Sequence, residues 1–459
     1  VVGGAAAAGL LWKVYISFAR CENILMGAAR AESAKNPRAA LRRLFDCAVR
    51  AAAPQACLPG CLAGIAPPAG RTLVLGAGKA AAGMARVAEQ CLGERGIRNL
   101  SGAVVTRHGH AAACEKITVL EAAHPVPDES CVAATRTILR HAQNFSPNDL
   151  ALMLISGGGS SLLCAPAAGL TLADKQNIHR ALLHAGAPIA EINCVRKHLS
   201  TVKGGQLARR CFPARVHTLS ISDVPGDDPA VIASGPTVAD PTSAADALAV
   251  VNRYGIHIPD VAREKLRRGE WETPFPGDFT GRETEYTIAA SAATALQAAA
   301  RAAKEMQIKT QILGDDLQGE ARGLGRLHAD IIRNIARQKK PGDAPLALLS
   351  GGETTVTVTG SGRGGRNAEY LLALTIALAG QPGVYALACD TDGIDGSEDN
   401  AGAVTGPDTL ARARQLGMCA QQYLDDNDAY GFFARLGGLV VCGPTGTNVN
   451  DFRAVGWWG

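Results

Sequence analysis

Apolar residues in this chain fall into short unbroken runs, separated by longer stretches in which they return every three or four positions. RTLVLGAG (71–78), GAVVT (102–106), ITVLEA (117–122), ALMLIS (151–156) and HTLSIS (217–222) are short and continuous, the pattern of strands buried on both faces. KAAAGMARVAEQCLG, VAATRTILRHAQ and TLADKQNIHRALLHAG lie between them with helical spacing, and Thr171 with Asp174 makes a capping box for the last. RAALRRLFDCAVRAA predicts the first helix, and NCVRKHLSTVKGGQLARRC predicts a basic one. After residue 283 the alternation resumes with TIAASAATALQAAARAAKEM, the strand KTQILGDD and a long helix over 319–338. LALL (346–349) is a further short strand, Thr354 to Thr359 alternates Thr and Val as a strand does, and AEYLLALTIAL is an apolar helix. Strands alternating with helices predict an α/β protein with mostly parallel sheets covered by helices, and sites at the C-terminal ends of the strands.

With 459 residues the chain exceeds one ordinary core. Residues 272–283, ETPFPGDFTGRE, combine Pro, Gly and charge and are expected to form a linker. That gives an N-terminal extension over 1–37, one α/β domain over 38–275 and a second over 284–454. The opening VVGGAAAAGLLW is too short to span a bilayer, and Met26 lies just before the first helix. Residues 1–25 are therefore expected to be dispensable, with an Ala-rich targeting peptide as the rival reading. A net charge of +4, without a basic run carrying interleaved aromatics, argues against nucleic acid, and no segment suits a membrane. The 13 Cys are scattered without a CxxC pair, which predicts reduced thiols and a cytoplasmic protein. The 10 His form no zinc spacing.

The candidate chemistry sits where strands end. Gly360-Ser361-Gly362-Arg363-Gly364-Gly365-Arg366-Asn367 opens the helix AEYLLALTIAL, with Asn367 as its expected N-cap. Loop glycines, two Arg forks and a helix start are equipment for holding a phosphate or carboxylate. Gly352 and Glu353 precede it in the turn after LALL. Gly76-Ala77-Gly78-Lys79 ends one strand and starts a helix, where a Lys is disfavoured unless an anion neutralises it. Gly157-Gly158-Gly159-Ser160-Ser161 fits a phosphate cradle better than a nucleophile turn, since GxSxG is absent. Arg196, Lys197 and Lys203 crowd one helix with His198, and a solvated face is the default reading of Lys203. Asp223, Asp227 and Asp228 follow one strand, and Asp390, Asp392, Asp395 and Asp399 follow another. Mg²⁺ needs few protein oxygens, and Asp223 and Asp392 are the preferred ligands. His124, in HPVPDE, is a candidate or a structural histidine, and the small polar groups of GPTGTNVND (443–451) could bind phosphate or ribose, in turn chemistry either way. LMLISGGGSS echoes LALLSGGETT, and ISDVPGDD echoes CDTDGIDG, as if each half offered one anion loop and one acidic loop.

Taken in order, VLGAGKAAAGMA, HPVPDE, ISGGGSSLL, NCVRKHLSTVKGGQLA, ISDVPGDDPAVIASGPTVADPT, ILGDDLQGEAR, LLSGGETTVTVTGSGRGGRNAEYLLAL, DTDGIDGSEDNAGA and DNDAYGFF with GPTGTNVNDFRA resemble the type II glycerate kinases, whose C-terminal half carries a MOFRL domain. The resemblance covers about residues 38–454. It implies ATP-dependent phosphorylation of D-glycerate to 2-phosphoglycerate with Mg²⁺, in a monomer or homodimer of two α/β/α domains with the active site in the cleft between them. Lys79 and Arg366 match positions associated with catalysis or ligand binding in that family. On this reading Lys79 and Arg196 grip glycerate and the γ-phosphoryl group, with Arg366 and Asp223 completing the catalytic set. Gly157, Gly158, Ser160, Ser161, Gly352, Glu353, Arg363 and Asn367 cradle phosphates, and Asp223 or Asp392 holds Mg²⁺. Ser291, in ASAATAL, and the ending AVGWWG depart from the pattern. The rival functions are a nicotinamide-dependent reductase of hydroxypyruvate or tartronate semialdehyde, and a non-catalytic ligand sensor. The reductase reading has only a truncated glycine pattern at 76–83 to support it, with no clear acidic residue after the second strand.

Overall fold

The computed structural model describes residues 36–340 and 342–459; the expected extension over 1–25 lies outside them. The chain divides into two compact units. Of the described residues, one holds 49–295 and the short return 444–450; the other holds 36–48, 296–443 and 451–459. The helix Pro37–Ala52 runs across the first division and the helix Ala292–Glu305 across the second.

In the first unit β1 (Thr72–Ala77), β2 (Leu100–Arg107), β3 (Ile117–Ala122), β4 (Leu150–Ser156), β5 (Arg215–Ile221) and β6 (Thr284–Ala290) form one parallel sheet in the order β3-β2-β1-β4-β5-β6. Every residue of β1 and β4 is buried, which is why both read as unbroken apolar runs. Strand order reverses between β1 and β4, and ligand sites of open parallel sheets lie at such a reversal. Leu73, Leu75, Val105 and Met153 pack with Ile138 and Leu207 into the core of this sheet. A second, smaller core joins the helices Leu172–His184, Ile189–His198, Ala244–Arg253 and Asp260–Arg267 through Ile178, Leu182, Val195, Val251 and Leu266. The expected capping box forms: Asp174 N donates to Thr171 Oγ1 at 3.1 Å, and Thr171 N donates to Asp174 Oδ2 at 2.9 Å. β6 pairs with β5, so residues 284–290 extend the first sheet and the expected linker at 272–283 lies within the first unit. The TIAA run is too short and small to separate from the helix that follows, which hid the strand.

The second unit departs from the expected parallel sheet. β7 (Lys309–Gly314), β9 (Leu346–Ser350), β11 (Val384–Asp390), β12 (Gly402–Thr405), β13 (Leu439–Val440) and β14 (Asp451–Trp457) assemble in the order β13-β12-β11-β14-β9-β7. Only β7 and β9 pair in parallel; the other four pairings are antiparallel. A parallel pair needs a crossover, usually a helix, and β11 reaches β12 through a helix-free loop, 391–401. The strand expected over 354–359 is confined to β10 (Thr354–Thr355), paired with β8 (Gly319–Glu320). Among the described residues no helix is long and apolar enough to cross a membrane, and the cysteines are free thiols.

His328 lies 2% exposed, with Nδ1 2.7 Å from Tyr370 Oη. Burial, helped by Arg453, pushes its pKa down to about 4. Between that value and about 6.5 the unfolded chain binds a proton that the folded chain refuses, so this stabilisation is complete above 6.5 and is lost as pH falls toward 4. Thermal unfolding of wild type and His328→Phe at pH 7 and pH 5 should show a smaller drop in Tm for the variant; equal drops would contradict the assignment.

Candidate active site

The loops leaving β1 and β4 are bonded to each other. Lys79 N donates to Gly157 O at 2.8 Å, and Ala80 N donates to Ser156 Oγ at 3.0 Å. Thr106 Oγ1 on β2 donates to Lys79 O at 3.1 Å. A Cβ built on Gly158 would stand 2.8 Å from His124 Nε2 and 3.4 Å from Lys79 Cγ, so both side chains flank this loop. A Cβ on Gly157 would come within 1.9 Å of Asp223 Oδ2, which makes glycine necessary beside that carboxylate. Asn448 Nδ2 donates to Asp223 Oδ2 at 2.9 Å, and Asn450 Nδ2 donates to the Asp223 carbonyl. Those asparagines belong to GPTGTNVND, whose turn-like sequence concealed a positioning role. Ser160 Oγ is 2.9 Å from Ser234 Oγ, and Ser161 Oγ donates to Pro125 O at 2.6 Å. The first unit thus gathers Lys79, His124, Gly157, Gly158, Ser160, Ser161 and Asp223 at the strand ends.

The basic helix is two helices, Ile189–His198 and Gln206–Cys211, with Lys203 in the turn between them. Lys203 is 1% exposed, not solvated, and its Nζ donates to Ser160 O at 2.7 Å and Leu163 O at 3.1 Å. It therefore ties the serine end of the glycine loop in place. Lys197 is buried against Asp240 at 3.3 Å. Arg196 turns to a cavity that Ser160 and Ser161 also line.

The first half of the second glycine-rich loop is bonded to residues 426–428. Thr359 N and Gly360 N donate to Asn427 Oδ1 at 2.8 and 2.9 Å, Ser361 N to Asp426 Oδ1 at 2.9 Å, and Arg363 N to Asp428 Oδ1 at 3.2 Å. A Cβ on Gly362 would meet Asp428 Cβ at 2.4 Å, so glycine here admits the 426–428 segment. The N-cap of the helix Arg366–Leu378 is Gly365 rather than Asn367, and Asp395 accepts from Asn367 N at 3.0 Å and Ala368 N at 2.9 Å. Arg363 is paired with Glu398. Arg366, expected to face a ligand anion, spends Nε on Asp451 at 2.8 Å, Nη1 on Glu353 at 2.6 Å and Nη2 on Asp390 at 2.9 Å. Gly352 O accepts from Asp451 N at 3.1 Å. Arg363 thus pairs with Glu398, Arg366 with Glu353, Asp390 and Asp451, and Asn367 with Asp395 and Asp451, so a phosphate held at Gly352, Glu353, Arg363, Arg366 and Asn367 would share or displace those carboxylates. Asp451, read in the sequence as part of a turn, and the fully buried Arg453 lie on β14 and pair with each other.

Two family models match the chain: a domain of unknown function (DUF4147) over residues 40–267 and the MOFRL family over residues 346–451. A D-glycerate 2-kinase of Thermotoga maritima is 41% identical over 382 residues, 83% of this chain and 89% of that protein. The chain belongs to the glycerate kinase family. A crystal structure of glycerate kinase from Thermotoga maritima aligns with a TM-score of 0.84 at 38% identity, over 93% of this chain and 100% of that one. A protein of Agrobacterium vitis, provisionally named a hydroxypyruvate reductase, is 50% identical over 420 residues, 91% of this chain and 94% of that protein.

Within this family frame the two expected metal carboxylates differ. Asp223 follows β5 beside Gly157, a hard oxygen donor next to the glycine loop. Asp392 accepts from Ile394 N at 2.9 Å, and its own N donates to Asp390 Oδ1 at 3.0 Å, the bonding of a turn residue. Among the described residues no three His, Cys, Asp or Glu side chains form a metal cage. A cation that arrives with phosphate oxygens needs only one or two carboxylates, and Asp223 suits that demand better than Asp392.

Removing Arg366 would leave Asp390 and Glu353 without their cation and Asp451 with Arg453 alone. Arg366→Ala should therefore lower stability by roughly 3 kcal/mol or more, and Arg366→Lys by less. Thermal unfolding checks this; an unchanged Tm in Arg366→Ala would show that the carboxylates do not depend on it.

Proposed function

We propose that this protein transfers the γ-phosphoryl group of ATP to the 2-hydroxyl of D-glycerate, giving 2-phosphoglycerate. The observation that carries the reading is the junction of Lys79, the glycine loop and Asp223 at the reversal of a parallel sheet, in a chain whose relatives include a named D-glycerate 2-kinase. Phosphoryl transfer depends mainly on positioning and charge neutralisation. Lys79 supplies a cation beside the loop, and the loop hydroxyls and N–H groups orient phosphate oxygens. Asp223 would hold Mg²⁺ accompanying the nucleotide, and the cation would offset phosphate charge. The O2–P bond forms as the bond from Pγ to the bridging oxygen breaks, and ADP leaves. With Asp223 on the metal, His124 beside Gly158 is the group left to receive the hydroxyl proton.

The reductase reading has the Agrobacterium name behind it. Against an NAD-dependent form of it, β2 ends in Thr106-Arg107 without the acidic residue that holds the ribose hydroxyl, and the glycine pattern at 76–83 is truncated. Incubation with D-glycerate and MgATP, followed by ³¹P NMR, should yield 2-phosphoglycerate. Formation of only 3-phosphoglycerate would refute the regiochemistry, and NADH oxidation by hydroxypyruvate without ATP would favour the reductase.

Lys79→Ala should cut kcat on the order of 10²-fold while leaving Tm unchanged, since the lost charge acts on the transferring group. Normal kcat and KM in the variant would remove Lys79 from the mechanism.

A further inference from the structure

A cavity of about 420 Å³ opens between the helices Leu172–His184 and Ile189–His198, and Ser160 and Ser161 of the glycine loop line it. Lys175, Arg196 and Lys203 all border it, and no Asp or Glu does. The Lys175 stem is partly exposed, but its Nζ is buried with no hydrogen-bond partner. Arg196 Nη1 donates to Asn193 Oδ1 at 3.0 Å, and Nη2 lies 3.2 Å from the His179 ring. Neither contact brings negative charge. Burial pushes the pKa of Lys175 down, that of Arg196 down to about 10, and that of His179 down to about 4, the last also through Arg196 and Lys175. Lys197, next to Arg196 in sequence, is by contrast paired with Asp240. A buried ammonium without a counter-charge is costly, so cations left unmatched around a cavity mark a place where a ligand supplies the anion.

Apart from Gln176 and Arg180, the rest of the cavity is apolar. Ile178, Leu182, Val195 and Leu199 form its wall, and Val126 and Leu183 carry the apolar lining out to solvent, 62% and 55% exposed. The volume falls in the range of small-ligand pockets, about 300–1,000 Å³. A three-carbon hydroxy acid has no apolar body for such a wall, whereas a nucleoside phosphate has both a flat base and an anionic tail.

We propose that this pocket is the nucleotide subsite, with donor phosphate oxygens held by Lys175 and Arg196 and the base lying against Ile178, Leu182 and Val195. The assignment rests on the phosphoryl-transfer reading and specifies where in the first unit the donor sits. Ser160 and Ser161 then link the donor's phosphates to the loop beside Lys79. Lys203 is a positioning residue, since it holds the carbonyls of Ser160 and Leu163.

Calorimetric titration of the full chain with a non-hydrolysable ATP analogue and, separately, with D-glycerate tests the proposal. Lys175→Met should bind the analogue at least 10-fold more weakly, bind D-glycerate within twofold of wild type, and keep or raise the ligand-free Tm, because an unpaired buried charge has gone. Lys175→Arg should recover much of the nucleotide affinity. Unchanged nucleotide affinity in Lys175→Met would overturn the assignment. So would a loss of D-glycerate affinity with nucleotide binding retained, which would place the acceptor's carboxylate in the pocket. A fall in Tm with both affinities intact would make Lys175 a structural group. A wild-type protein that binds no ATP analogue and yields no phosphoglycerate fails the kinase reading itself, and the subsite falls with it.

Discussion

A charge taken out of water must be met by an opposite charge, and the two units of this chain meet that demand in different ways. In the second unit the half-buried Arg366 binds Asp451, Asp390 and Glu353, and the buried Arg453 pairs with Asp451. Loop N–H groups there meet Asp426, Asp428 and Asp395. In the first unit Lys175 and Arg196 are packed beside a cavity with no carboxylate in its lining. Matched charge holds a structure together; unmatched charge is a site waiting for a ligand anion. This contrast separates two glycine-rich loops that look alike in sequence.

The parallel sheet determines where the unmatched charge can be used. β1 and β4 are neighbours and run in the same direction, so Lys79 and Gly157 emerge side by side and bond through Lys79 N. β5 brings Asp223 to the same edge, and the 444–450 return supplies Asn448 and Asn450 to hold its carboxylate and carbonyl. The small helical core beyond the loop carries Lys175 and Arg196. Lys203 joins that layer to the loop by bonds to Ser160 O and Leu163 O. Glycerate kinase chemistry asks for such an arrangement, with positive groups and oriented donors fixed before the substrates arrive.

Much of the first sheet was legible because buried parallel strands leave near-continuous apolar runs: β1 and β4 are buried throughout, β2 and β5 nearly so, and β3, at the sheet's edge, was read from its β-branched residues. β6 escaped because TIAA is small and leads straight into a helix. The second sheet was misread as parallel because strand–helix alternation says nothing about direction once connections lose their helices, as between β11 and β12. Lys79, Asp223 and the 157–161 loop were legible because glycine and charge coincide with strand ends. The carboxylate partners of Arg366 were not legible, because they lie 13 to 85 residues away in sequence. Lys175 was missed although its spacing from Leu172, Ile178 and Leu182 puts it on the inward stripe of its helix, where a lysine is out of place without an anion.

The most direct test is anomalous diffraction from crystals soaked in tungstate, a heavy tetrahedral mimic of phosphate. The account predicts a peak bordered by Lys175, Arg196 and the 157–161 loop, and none at residues 360–367. A peak at 360–367, with none beside Lys175 and Arg196, would contradict it.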